Sequence, residues 1–331
     1  MADSGTSPRG FAGRPLARRY EHKDEATWDA FVADAWNGTL LHTRRYLSYH
    51  RDRFEDRSLV IEESGRVVGL LPAAVDPADE RNVVSHPGIT YGGLVTRGDL
   101  RGEAAISAFE ACVAVLQGDG HDQLTYKSIP TLLHRFPTED DLYALWRLGA
   151  TLARTDLWAW VPAHGRRSMS RVRQRALRRA AEESIVVRQD DLRRLPEFWD
   201  ALGENLRARH GVSPTHTLDE ITTLVDRFPD RIALHVGVDP EGALLAGALT
   251  FQTPGAVHIQ YSSPTEAGRE VGALDAVYDS LIRAASAAGL ATSFGSSTEA
   301  GGQVLNTSLY HFKATFGAAS LAHQFFTLPL S

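Results

Sequence analysis

Two short apolar runs, residues 59–62 and 67–71, flank Ser64-Gly65. The same figure returns at 232–238 and 244–251, around Pro240-Glu241-Gly242. Runs of that length broken by turn residues predict β-hairpins. Further along, the period changes. Residues 103–116 and 273–288 place apolar side chains at three- and four-residue steps, which predicts helices with one buried face. Each then gives way to a short strand pattern, 123–127 and 290–294, and each is preceded by spaced glycines, Gly98 and Gly102 in one case and Gly268 and Gly272 in the other.

These parallels extend to the residues themselves. Trp28-Asp29-Ala30-Phe31 recurs as Trp199-Asp200-Ala201-Leu202, and Asp52-Arg53-Phe54 as Asp226-Arg227-Phe228. Ile89-Thr90-Tyr91, expected as a strand, matches Ile259-Gln260-Tyr261, and Leu142-Tyr143 matches Leu309-Tyr310. Shared composition alone does not keep such pieces in one order, so the chain reads as a duplication. The expected fold class is α/β, with two tandem domains, each a mixed, mostly antiparallel sheet flanked by helices. The boundaries read as a disordered leader over 1–19, a first domain over 20–162, a basic connecting helix over 163–184 and a second domain over 185–331.

A strand, a glycine-containing loop and a helix together aim backbone N–H groups at a helix N-terminus, where phosphate oxygens bind. In the second half that loop runs from Pro264 to Gly272, without the lysine of a nucleotide P-loop or the glycine spacing of a dinucleotide fold. After its hairpin and strand it resembles the acyl-CoA pyrophosphate loop of the GNAT superfamily, Arg/Gln-x-x-Gly-x-Gly/Ala. Arg269-x-x-Gly272 fits and Leu274 departs from the last small position. Two such domains in one chain resemble the FemABX group of aminoacyltransferases. Ser85 to Gly93, Phe294 to Glu299 and Phe312-Lys313-Ala314-Thr315-Phe316-Gly317 add to that likeness.

The resemblance implies direct acyl transfer to an amine, in which the strand before the glycine loop, 259–263, splays and lends an N–H to the reacting carbonyl. Gly268, Arg269 and Gly272 are the expected donor-binding loop. Lys313 is the leading catalytic candidate, expected to point toward the cleft between the halves and to neutralise a phosphate or the oxyanion. Glu299 is a second, as general base or holder of the incoming amine; a helix-start carboxylate is the plainer alternative. Asn306 reads as a cap of the Lys313 helix or an acceptor contact. His86, Tyr91, Lys127, Tyr261 and Ser297 complete the expected substrate contacts. Covalent catalysis has no visible nucleophile: Cys112 lies in an apolar helical stretch, and zinc and serine-hydrolase signatures are absent.

Charge changes the picture at one place. The net charge is −6, and of 35 basic residues only Lys23, Lys127 and Lys313 are lysine. Between His164 and Arg179 stand seven arginines and no acid. On a helix, Arg171 and Arg175 share one face with Arg167 and Arg178, while Met169, Val172, Ala176 and Ala180 form an apolar stripe. A solvated basic face is the plain reading; phosphate recognition is the functional one. The expected function is aminoacyl transfer from charged tRNA to a small-molecule or nucleotide-linked amine. The alternatives are an acyl-CoA-dependent N-acyltransferase acting on an amino sugar or nucleotide-linked amine, and a non-catalytic phosphate- or RNA-binding module. No permanently bound cofactor, metal or membrane span is expected. One cysteine and no secretory signal fit the cytoplasm.

Overall fold

Strand β1 (Leu16–Arg19) opens the first of two compact units. That unit runs to residue 131 and takes in 135–153 and 324 onward, while 132–134 and 154–323 make up the second. The computed structural model describes residues 13–190 and 192–330. The expected leader over 1–19 therefore falls mostly outside the described residues. Its last four residues are ordered: β1 pairs antiparallel with β2, Leu16 opposite Glu62.

In the first unit α1 (Glu25–Asp34) and α2 (Arg44–Leu47) precede the hairpin of β2 (Leu59–Glu63) and β3 (Arg66–Leu71). Its turn holds Ser64 and Gly65 at φ 51 and 75, the left-handed conformation that matches strand twist. Then come β4 (Ala74–Asp76), β5 (Asp79–Val84), β6 (Val95–Thr96), α3 (Glu103–Gly118), β7 (Gln123–Lys127) and α4 (Asp140–Arg147). One sheet runs β1-β2-β3-β6; in the other, β5 lies between β4 and β7, parallel to β7. Ala105, Phe109, Cys112 and Leu116 of α3 pack on Leu59, Ile61, Val83 and Leu124. The strand expected at Ile89–Tyr91 is absent, and β5 takes its place in the order. Residues 85–94 form a loop in which His86 adopts φ 65 and Gly92 passes so close that a Cβ would lie 1.8 Å from the Ser85 carbonyl oxygen.

The second unit begins within β8 (Thr151–Val161) and continues through α5 (Arg171–Glu182), β9 (Val186–Asp190), α6 (Leu195–His210) and α7 (Leu218–Arg227). Next are β10 (Ile232–Val238), β11 (Leu244–Gln252), β12 (Ala256–Pro264), α8 (Glu266–Val271), α9 (Ala273–Ala287) and β13 (Ala291–Ser296). A two-stranded ribbon, β14 (Thr298–Glu299) and β15 (Val304–Leu305), leads to α10 (Thr307–Ala314) and β16 (Ala319–Pro329). The sheet order is β8-β13-β12-β11-β10-β9. Val277, Leu281 and Ile282 of α9 cover it with Ala246, Ala248 and Phe294.

Two boundaries differ from the sequence expectation. The final strand ends in the first unit, where Phe325–Pro329 pair antiparallel with Lys127–Gln123, because β7 otherwise presents an unpaired edge. The basic segment becomes helix only from Arg171, capped by the Ser170 hydroxyl, and it belongs to the second unit. Its expected apolar stripe is also rotated: Val172 is exposed, while Arg173, Ala176, Leu177 and Ala180 turn inward. Arg173 can do so because Asp275 of α9 meets it at 2.5 Å and its guanidinium lies over the Phe312 ring.

Candidate functional site

The register of β12 explains why the second unit has a cavity. β12 runs parallel to β13 only through the pairs Ala256–Ala291, Val257–Thr292 and His258–Ser293. Beyond that point β13 turns to β8, with Ser296 opposite Trp158, while β12 stays with β11. The two strands splay as expected for 259–263. On its other edge β12 carries a bulge: Leu249 pairs with Tyr261 and Thr250 with Ile259, so Gln260 has no partner. A bulge leaves ladder groups unpaired on that edge and re-aims the strand.

A cavity of about 780 Å³ fills the gap. Leu202, Asn205 and Leu206 of α6 line it, with Ser262 of β12, Gly268, Arg269 and Gly272 of the glycine loop, and Leu274, Asp275 and Tyr278 of α9. Glu299 of β14, Asn306 beside it and Ser308, Leu309 and Phe312 of α10 close the other side. Asn205 ties α6 to the end of β12, its Nδ2 donating to the Pro264 carbonyl at 2.7 Å. Thr265 caps α8 by accepting from Gly268 N at 3.1 Å. Gly268 has no alternative: a Cβ there would lie 1.8 Å from the Leu245 carbonyl oxygen. Gly272 takes φ 75 between α8 and α9, where a side chain is strained.

Of the sequence-derived candidates, the structure gathers Glu299, Asn306, Gly268, Arg269 and Gly272 around this one cavity. Asn306 serves as the cap, its Oδ1 accepting from Leu309 N at 3.0 Å, and its Nδ2 donates to Glu299 Oε1 at 2.7 Å. Ser297 lies behind, fully buried, with an unpartnered hydroxyl. Tyr261 is outside the lining: its hydroxyl meets His216 Nδ1 at 2.6 Å and its ring packs against Trp199. Arg171 and Arg175 are exposed on α5.

Lys313 does not reach the cavity wall. It is 6 % exposed, and its ammonium donates to the carbonyls of Gly295 and Ser296. It therefore holds the exit of β13, two residues before the ribbon that carries Glu299. Burial pushes its pKa down from 10.5 to about 7. Between those values the unfolded chain keeps a proton that the folded one has lost, so stability rises with pH across that window. Lys313→Met removes this cost. Its stability relative to the parent should be highest below pH 7 and should fall by a few kcal/mol toward pH 10, at about 1.4 kcal/mol per pKa unit. Urea melts at pH 6, 8 and 10 measure the trend, and a flat difference would mean that the ammonium is not desolvated.

The other three candidates belong to the first unit. His86 is buried against His50, ring centroids 5.1 Å apart, and desolvation holds its pKa well below the usual histidine range. Tyr91 packs beside His42, and Lys127 donates to the Ile89 carbonyl. The Tyr126 hydroxyl accepts from Leu94 N and donates to Asp141, whose pKa burial raises to about 6, and Gly102 N at the start of α3 donates to Asp140. Cys112 is 1 % exposed and burial pushes its thiol up to about 12, so it offers no nucleophile.

Sequence reasoning missed Asp275, Tyr278, Asn205 and Arg173. The signal for one pair was present: Asp275 and Asp279 stand one turn apart on α9 and take Arg173 and Arg166 from the basic segment. Both acids lie about a hundred residues beyond the arginine run, outside any local pattern. Arg179 is also engaged, donating to the Glu270 carbonyl at 2.7 Å.

Residues 163–299 match the acetyltransferase (GNAT) domain family. Over the whole chain the fold is similar to that of FemX, with a TM-score of 0.69, 13% identity and coverage of 95% of this chain and 97% of that one. L-PGS from Bacillus licheniformis gives a TM-score of 0.61 at 14% identity, covering 94% and 92%. A conserved protein of unknown function from Bacteroides thetaiotaomicron gives 0.59 at 8% identity, covering 95% and 99%. At such identities the likeness is one of fold. No curated protein matches the chain in sequence.

Proposed function

We propose, from the match of residues 163–299 to the GNAT acetyltransferase domain family and the FemX-like fold, that the protein transfers an aminoacyl group from charged tRNA to the amine of a small acceptor. The second-unit cavity is the donor site. The observation that carries the tRNA donor is the outer face of α5, where Arg171, Arg175 and Arg178, with Arg167 just before the helix, are exposed and have no carboxylate partner among the described residues. That helix rests on the glycine loop, since a Cβ at Gly272 would meet the Ala176 carbonyl oxygen at 2.7 Å. Unpaired arginine forks beside a donor cavity suit a nucleic-acid backbone.

The chemistry asks for positioning more than for a reactive side chain. The acceptor amine attacks the ester carbonyl, the C–O bond to the 3′ oxygen breaks as the C–N bond forms, and the amine's proton ends on the released hydroxyl. In this reading a backbone N–H at the splayed end of β12 stabilises the oxyanion. Lys313 acts through the backbone it holds.

A second reading, acyl-CoA-dependent N-acyl transfer, draws on Arg269 and the N-terminus of α9 at Gly272, which open on the cavity and suit a pyrophosphate. Equilibrium binding of a labelled, charged tRNA pool at two salt concentrations, with CoA as competitor, decides between them. Micromolar binding that weakens steeply with salt and survives excess CoA is expected. Absence of tRNA binding, with stabilisation of the fold by CoA, would sink the tRNA reading and leave the CoA one. No helix among the described residues is long and apolar enough to cross a membrane.

A further inference from the structure

We infer that the second-unit cavity selects an acyl group that is itself an α-amino acid residue with an apolar side chain, its ammonium received by Glu299. This deepens the transferase reading and rests on it. The lining contains two carboxylates, and they differ in kind. Asp275 has its charge met by Arg173 at 2.5 Å. Glu299 is exposed where it lines the cavity, forms no ion pair among the described residues and accepts the Asn306 amide at 2.7 Å. Asn306 is itself fixed as the cap of α10, so the carboxylate is held in one place with an oxygen to spare. The lining's arginine, Arg269, stands on α8 and makes no ion pair with Glu299.

Anion and cation therefore stand apart, on different elements of one cavity. A ligand that satisfies both carries a positive group on one part and a phosphate on another. An aminoacyl ester of a nucleotide has that pattern, with a free α-ammonium beside the carbonyl and a phosphodiester beyond the ribose. A plain acyl thioester has phosphates and no cation near its carbonyl, and it would leave Glu299 to solvent alone. Much of the remaining wall is apolar, with Leu206, Val212, Leu274, Leu309 and Phe312, interrupted by Asn205, Ser262 and Ser308. Such a surface favours an aliphatic side chain, at tenfold or more per methylene in a fitted pocket, and disfavours a carboxylate, which would lose its hydration and face Glu299.

The test uses the full chain and three stable probes, read by calorimetry: 3′-deoxy-3′-(L-leucylamino)adenosine 5′-monophosphate, its N-acetyl form, and the L-aspartyl counterpart. The leucyl probe should bind at least about tenfold tighter than either of the others. Glu299→Gln keeps an oxygen for Asn306, so the fold stays intact, and it should erase the preference for leucyl over N-acetyl-leucyl. Leu309→Ala should weaken the leucyl probe while leaving the aspartyl one unchanged. Equal or tighter binding of the N-acetyl form by the parent, or a preference that survives Glu299→Gln, overturns the inference. Binding of acetyl-CoA without the leucyl probe also overturns it, yet leaves an acyltransferase. Failure of acetyl-CoA, charged tRNA and all three probes together overturns the transferase reading beneath it.

Discussion

Glutamate at Arg171, Arg175 and Arg178 together should lower the affinity for charged tRNA by at least about a hundredfold near physiological salt, and should flatten its salt dependence by about two to three in the log–log slope. The folded state should hardly notice. These three side chains are exposed and meet no carboxylate, and substitutions at such positions stay within about 0.5 kcal/mol. Their neighbours are different. Arg166 and Arg173 are bound to Asp279 and Asp275 at 3.0 and 2.5 Å; Asp279 also keeps Arg283, whereas losing Arg173 leaves the buried Asp275 alone, at about 3 kcal/mol or more. One helix thus divides its arginines between holding α9 and facing outward. Filter binding with the triple variant measures the effect, and affinity within threefold of the parent would remove α5 from the tRNA footprint.

That division marks where the sequence stopped being legible. The hairpins, the α3 and α9 helices and the strands after them follow from local period and turn residues, and they lie within a residue or two of the expected positions. The site loop was readable because Gly268 and Gly272 answer to backbone demands that only glycine meets. The inward face of α5 was not, because an arginine counts as polar in any pattern, while here a carboxylate from a distant helix and two phenylalanine rings bury it. Ile89-Thr90-Tyr91 misled for the opposite reason. Its composition is that of a strand, but Pro87, Gly88, Gly92 and Gly93 around it break the ladder. Lys313 was found for its chemistry and is placed by its burial, which no local pattern reports. The exchange of the last strand into the first unit depends on β7 wanting an edge partner, a property of the sheet and not of residues 324–331.

Gly268→Ala should be among the most damaging single substitutions in the second unit, although it adds one methyl group. The new Cβ would lie 1.8 Å from the Leu245 carbonyl oxygen and 2.6 Å from its carbon, both backbone atoms. A flexible side chain could swing aside; a strand inside a sheet cannot. Helix α8 would have to lift from β11, and with it would go two bonds to that same carbonyl, from Thr265 N at 2.8 Å and Thr265 Oγ1 at 3.1 Å. A cost near 4 kcal/mol is expected, equivalent to a Tm loss of roughly 10 °C in the second unit. Because Gly268, Arg269 and Gly272 form one wall of the cavity, donor binding should fall with it, even at temperatures where the variant stays folded. Gly203→Ala on α6 is the control: there a Cβ would meet only the flexible end of Arg207, at 3.1 Å, and helix propensity favours alanine. An unchanged Tm and unchanged donor binding in Gly268→Ala would mean that α8 is not seated on β11, and the cavity would then lack the wall on which the donor site depends.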